Sequence, residues 1–197
     1  MCKVVKTPIY NAAINGHVDA CHLLLEYQTD INALHMRHAL FEAVIHGHLD
    51  ICKLLLKDYG MDPNSIICDD LYDGTVMLAA IEYDHYNIVE LLLECGASNC
   101  KIDEYISPLK KVVVYRNNYT ICELLLDHGA HPDDNVTDVL NITTPLYHAL
   151  YDRRVDICKL LISRGATTSK DVVRYISDPT DLTLEHYLAD ILKQMSE

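Results

Sequence analysis

Five times along this chain a run of three aliphatic residues closes an apolar segment: Leu23-Leu24-Leu25, Leu54-Leu55-Leu56, Leu91-Leu92-Leu93, Leu124-Leu125-Leu126 and Leu160-Leu161-Ile162. The last residues of these runs lie 31, 37, 33 and 36 positions apart. A period of about 20 to 50 residues means that one supersecondary unit is being copied and stacked, because a unit of that size cannot bury its apolar face alone. The chain is therefore constrained to a row of small units that share a core and present a continuous surface.

A second anchor stands eighteen positions before the last aliphatic residue of a block: Thr7, Thr75 and Thr144, with His38 at the same offset in the second block. Around it the text reads Thr7-Pro8-Ile9-Tyr10 and Thr144-Pro145-Leu146-Tyr147. Thr before Pro predicts a helix start, since the hydroxyl caps free amide groups and proline at the first helical position forfeits no hydrogen bond. Ala12-Ala13 and Ala79-Ala80 then let helices approach closely. The turn that follows reads Gly16-His17 and Gly47-His48, with Asp84-His85 as a variant. The block ends on Gly96-Ala97, Gly129-Ala130 and Gly165-Ala166, with Gly60-Met61 as a variant. The fourth block departs most. Ser107-Pro108-Leu109 lies one residue too far from Leu126, and Asn117-Asn118 replaces the glycine-histidine turn, which predicts an extra residue or a shifted start in its first helix.

These anchors resemble ankyrin repeats, whose pattern runs Thr-Pro-Leu-His-x-Ala, Gly-His, a Leu-rich helix and Gly-Ala at about 33 residues per unit. The resemblance covers about residues 3 to 167. It implies an all-α fold, an ankyrin-repeat solenoid of stacked helix-turn-helix units with β-hairpin-like loops. Five repeats are expected at about 3–35, 36–70, 71–103, 104–138 and 139–167, in one elongated domain, with 168–197 as degenerate capping helices. The longest connections, 60–74 and 130–143, are expected to be extended hairpin loops.

Composition excludes several function classes. Half of the residues are hydrophobic, tryptophan is absent and phenylalanine occurs once, so the core is aliphatic. A formal charge of -13 with only sixteen basic residues disfavours nucleic acid, whose affinity comes from clustered Lys and Arg. A solvated surface accounts for the scattered acids, and a basic protein partner is the sharper alternative. No stretch reaches the roughly 20 apolar residues of a membrane span, and the start lacks the apolar run of a secretion signal. An intracellular, cytoplasmic monomer is expected.

Cysteine, histidine and glycine would suggest chemistry until they are put in register. Cys21, Cys52, Cys122 and Cys158 each lie four residues before the end of their block, where the third block has Val89. A position that takes Cys or Val alike is a packing position, and thiols one repeat apart stand about 10 Å from each other, beyond disulfide reach. Cys2, Cys68, Cys95 and Cys100 fall outside that register and lack zinc-ligand spacing. His22, His128, His131 and His186 read as surface residues, and His46 and His48 flank Gly47 without a recognisable third ligand. All seven glycines have places in turns, helix ends or the Asp73-Gly74-Thr75 hairpin, leaving none for a phosphate-cradling loop. No nucleophile elbow, zinc-protease helix or redox pair appears. No catalytic residue, metal or cofactor is expected, and the chain does not read as an enzyme.

The ankyrin resemblance implies more. His17, His48 and His85 would tie one repeat's loop to its neighbour. A protein partner would dock on the concave side, where the two residues before each turn lie: Ile14 and Asn15, Ile45 and His46, Glu82 and Tyr83, Tyr115 and Arg116, Tyr151 and Asp152. Tyrosine and arginine favour interfaces because they bury large area at modest entropy cost and keep a polar end. Tyr83, Tyr115 and Tyr151 are the expected stripe, with packing against the next repeat as the plainer alternative. Ankyrin domains are also substrates of an asparagine hydroxylase, and Leu24 to Asp30-Ile31-Asn32 and Leu56 to Asp62-Pro63-Asn64 fit its spacing. The structural reading of Asn32 and Asn64 is hydrogen bonding within a hairpin turn.

After Gly165-Ala166 the repeat fades, and 169–176 and 182–195 read as two more helices. Leu184, Leu188, Ile191 and Met195 fall on one amphipathic stripe, as in a solenoid's terminal cap. The cysteine- and tyrosine-rich blocks resemble poxvirus ankyrin repeats, which implies a viral protein binding a host factor. Many such proteins carry a C-terminal segment that recruits a cullin-type ubiquitin ligase, so a substrate adaptor is the alternative function. Leu182-Thr183-Leu184-Glu185-His186-Tyr187-Leu188 does not match the Leu-Pro opening of that segment.

Overall fold

A computed structural model describes residues 6–27, 31–68, 73–98, 106–134, 144–168 and 183–196. The chain divides into two compact units, Met1–Ser98 and Asn99–Glu197.

In the first unit, α1 (Pro8–Ile14) and α2 (Val18–Tyr27) form one helix pair, and α3 (Ala33–Ile45) and α4 (Leu49–Lys53) a second. A third pair is α5 (Val76–Glu82) and α6 (Tyr86–Glu94). First helices stack on first helices, α1 on α3 on α5, and second helices on second helices, α2 on α4 on α6. Thr7 Oγ1 accepts the amide of Tyr10 at 3.3 Å and Thr75 Oγ1 that of Leu78 at 3.2 Å, so both threonines cap their helices as their register predicts. Between the second and third pairs, β1 (Ile66–Cys68) and β2 (Asp73–Thr75) pair antiparallel with Ile67 opposite Gly74, placing a hairpin in the first of the two long connections.

The second unit repeats the scheme with α7 (Pro108–Lys111) and α8 (Tyr119–Asp127), then α9 (Pro145–Tyr151) and α10 (Val155–Ser163), followed by α11 (Thr183–Ser196). Ser107 Oγ accepts the amide of Lys110 and Thr144 Oγ1 that of Tyr147, each at 3.2 Å. Helix α11 lies against α9 and α10, with Leu188 and Ile191 buried. The segment 169–176 and most of the second long connection lie outside the described residues.

Two insertions are absorbed by helix geometry. The fourth block's extra residue is taken up by a turn of π-helix over Val112–Arg116, closed by the Asn117 amide on the Val112 carbonyl at 2.8 Å. A second π-turn, Leu54–Asp58, was not anticipated. Its signal is present in the sequence: Gly60 stands four residues after Leu56, where Gly96, Gly129 and Gly165 stand three after Leu93, Leu126 and Ile162.

The core is aliphatic and runs between helix layers. Leu55, Leu92, Leu125 and Leu161 are fully buried, as are Cys21, Cys52, Cys122 and Cys158. Burying one leucine side chain contributes about 1.5 to 3 kcal/mol. Two local features differ from expectation. Helix α3 begins at Ala33 with Asn32 as its N-cap, so His38 stands inside a helix where the other blocks start theirs. Leu23 is exposed although it belongs to the first triple run, because α2 packs on α1 and α4 with its other side turned to solvent among the described residues.

Candidate protein-binding surface

Each first helix ends in a tight reversal whose backbone requires a positive φ. Gly16 and Gly47 adopt it at 72° and 73°, and Asp84, Asn117 and Arg153 fill the same place at 56°, 52° and 59°. Glycine meets this conformation without steric penalty, and the Asn and Asp side chains tolerate it better than most. The next residue reaches the adjacent repeat. His48 Nε2 donates to the Ile14 carbonyl at 2.9 Å, and His85 Nε2 to the Ile45 carbonyl at 3.0 Å. In the second unit Arg154 takes over the role and donates through Nη1 to the Val113 carbonyl. Asp152 steadies it, its Oδ2 lying 2.7 Å from Arg154 Nη2. His48 and His85 thus behave as the ankyrin resemblance implies, and Arg154 is a further tie that a search for histidine misses.

A parallel set of ties joins the segments that follow the block-ending glycines. Asn64 Oδ1 accepts the Ser98 amide at 2.7 Å, and Asp133 Oδ1 accepts the Thr167 amide at 2.8 Å. Both pairs are separated by 34 residues and start four residues beyond a block-ending glycine.

The side chains left at the helix ends are those expected to meet a partner. In the first unit Ile14 and Ile45 are half-buried and lend their carbonyls to the histidine ties. Asn15 is exposed and its Nδ2 donates to the Asn11 carbonyl at 2.7 Å. The exposed His46 ring stacks on His48 with centroids 6.0 Å apart, and its Nδ1 lies 3.0 Å from the Glu42 carbonyl. Glu82 is half-buried, and Tyr83 is 46% exposed with its ring stacked on His85 at 6.3 Å. In the second unit Tyr115 is 64% exposed beneath the Lys111 ammonium, 5.1 Å from the ring centroid. Arg116 is half-buried. Tyr151 is 65% exposed and stacks on the buried Tyr147 at 6.2 Å. The three tyrosines are therefore exposed rings braced from one side, which keeps them ordered while leaving area to bury.

The rest of the chemical inventory is engaged elsewhere. Burial pushes the Cys52, Cys122 and Cys158 thiols up to about 12 and Cys21 to about 11. Thiols that hold their protons so firmly are poor nucleophiles and poor metal ligands. Among the described residues, no three His, Cys, Asp or Glu side chains gather where they could hold a metal ion, and no helix is long and apolar enough to cross a membrane. Asn32 is exposed and caps α3 through the His35 amide at 2.9 Å, so its role is that of a helix cap and not of a hairpin turn.

Comparison with known proteins follows this geometry. The family description "Ankyrin repeats (3 copies)" matches residues 2–67, 37–104 and 76–172. An ankyrin repeat protein of fowlpox virus (strain NVSL) is 33% identical over 94 residues, 47% of this chain and 20% of that protein. The match thus spans about a fifth of the relative's length. The crystal structure of the human ASB11 ankyrin repeat domain superposes with a TM-score of 0.70 at 26% identity, covering 94% of this chain and 84% of that one.

Proposed function

The chain belongs to the ankyrin-repeat family, an interaction scaffold, and from that premise we propose that it is a non-enzymatic module binding a partner protein through the helix-end residues of each unit. The observation that carries this reading is the exposure of Tyr83, Tyr115 and Tyr151, braced rings in the positions where each repeat's first helix ends. Such rings bury large area on binding and lose little entropy. In the first unit the surface combines Ile14, Asn15, Ile45, His46, Glu82 and Tyr83, and in the second Tyr115, Arg116, Tyr151 and Asp152. Of these, Asp152 has a second duty in holding Arg154, so its substitution tests folding as much as binding.

The similarity to a fowlpox protein supports a viral reading in which a host factor is sequestered, with the host cytoplasm as the place of action. Between a cap and a ligase-recruiting segment, burial of Leu188 and Ile191 favours the cap for α11. Affinity capture from host-cell extract tests the proposal: the intact chain retains a specific protein that the Tyr83→Ala/Tyr115→Ala/Tyr151→Ala variant releases while staying folded. Unchanged capture by the folded variant overturns it. Cullin components retained through residues 168–197 would favour the adaptor reading. Hydroxylation at Asn32 and Asn64 is a separate proposal, and mass spectrometry after enzyme exposure, finding no added oxygen, would dispose of it.

A further inference from the structure

One buried position of the repeat takes a ring or an aliphatic side chain in every block except the fourth. Three residues after the capping hydroxyl stand Tyr10, Leu78 and Tyr147, and Phe41 holds the same register in the second block. In the fourth block the residue is Lys110, itself only 8% exposed. A buried ammonium needs an anion or hydrogen bonds to offset its lost hydration. Among the described residues no carboxylate pairs with Lys110. Its charge falls on His148 of α9, whose imidazole is held below the ordinary histidine value by burial first and then by Lys110. The surroundings are cationic as well. The first helices of the second unit, Pro108–Lys111 continued by Val112–Arg116 and then Pro145–Tyr151, carry Lys110, Lys111 and Arg116 and no carboxylate. Those of the first unit carry Glu42 and Glu82 against Arg37. In a chain of formal charge -13 this is a local reversal of sign.

We propose that this face of the second unit receives an acidic segment of the partner protein, with one carboxylate of that segment on the Lys110 ammonium. The inference rests on the reading that the helix ends bind a protein, and it names the chemistry of what they bind. Cations and exposed rings belong to one surface here. Lys111 lies over the Tyr115 ring, and a file of ring contacts runs from His148 to Tyr147 at 5.6 Å and on to Tyr151 at 6.2 Å. Tyrosine hydroxyls donate to carboxylates as ammonium groups do, so both suit the same ligand. Asp152, the acid that follows α9, is occupied with Arg154. Because Lys110 is already desolvated in the fold, pairing costs the desolvation of the incoming carboxylate alone. Lys110 is thus the contact that holds the segment, and Lys111 and Arg116 steer it in. A nucleic acid fits less well, since phosphates running beyond the patch meet a chain of strongly negative net charge.

Fluorescence anisotropy of a labelled oligoglutamate peptide titrated with the full chain tests this. The wild type binds the peptide, and Lys110→Met weakens binding at least about tenfold. Lys57→Gln, which removes the same charge from the first unit, leaves binding unchanged. Methionine suits the slot that Tyr10, Leu78 and Tyr147 fill elsewhere, so Lys110→Met keeps the wild-type circular dichroism spectrum and urea midpoint. No peptide binding by the wild type, equal binding by Lys110→Met, or equal weakening by Lys57→Gln overturns the proposal. A single-stranded oligonucleotide of the same charge that binds more tightly through Lys110 overturns it as well. Capture from host-cell extract separates this result from the reading beneath it. A protein that the tyrosine triple variant releases but Lys110→Met retains leaves the helix ends as a binding surface and overturns only their acidic ligand.

Discussion

The imidazole of His48 lies over Gly16, so that a methyl group added at Gly16 would stand 2.8 Å from His48 Cε1, while Nε2 of the same ring donates to the Ile14 carbonyl at 2.9 Å. The relationship recurs one repeat on, with His85 over Gly47 and bonded to Ile45. Two requirements meet at each glycine: a left-handed backbone and room for the neighbour's ring.

Gly47→Ala should therefore destabilise the protein by about 2 kcal/mol or more, adding ring displacement to the left-handed backbone penalty. At Gly96 the φ is 87° but the space is open, so Gly96→Ala should lose only about 1 kcal/mol, the backbone part. Urea midpoints of the two variants give the comparison, and equal losses would mean that the histidine ring exerts no steric demand.

Leu92 and Leu125 are fully buried at the centres of their triple runs. Leu92→Ala or Leu125→Ala should lower stability by about 2 to 5 kcal/mol, the transfer and cavity penalties together. Leu23→Ala, at an exposed site, should change it by about 0.5 kcal/mol or less in chemical denaturation.

The buried thiols make stability depend on alkaline pH. A thiol raised from 9.0 to about 12 in the fold keeps its proton while the unfolded chain loses it. The unfolded state then binds fewer protons, so stability falls as pH rises above about 9 and the contribution is exhausted near the folded value. Urea midpoints at about pH 8 and about pH 10 measure the slope, and Cys52→Val/Cys122→Val should reduce it. In alkylation mapped by mass spectrometry, half-exposed Cys95 should react before Cys21, Cys52, Cys122 and Cys158.

Arg153 combines a strained backbone with a useful side chain: its φ is 59° and its guanidinium lies 4.7 Å from the Tyr187 ring of α11. Arg153→Gly relieves the backbone and loses the cation–π contact, effects of about 1 kcal/mol in opposite directions. Arg153→Ala loses the contact without relief, so its melting temperature should fall further than that of Arg153→Gly. The reverse order would show that the left-handed backbone at position 153 carries no strain.

Much of this architecture can be read from the sequence because repetition supplies its own control. Thr7, Thr75 and Thr144 cap helices for the same local reason each time, and Cys52 and Val89 are both buried because one packing site accepts either. What escapes is local arithmetic and substitution of kind. The π-turn at Leu54–Asp58 is a one-residue surplus, and the early start of α3 at Ala33 follows from a cap, Asn32, that stands six residues before His38, the position where the register expects one. Arg154 replaces a ring by a guanidinium, chemically unlike histidine yet able to donate to the same kind of carbonyl. The candidate surface is legible only as positions. Which rings stay exposed depends on bracing by His85, Lys111 and Tyr147, contacts that arise only once the chain is folded.

The most direct test of the account is quantitative capture by the wild type and by Tyr83→Ala/Tyr115→Ala/Tyr151→Ala, each checked for native helix content. A folded triple variant that no longer retains the partner is the result predicted. Full retention by a folded triple variant would contradict it.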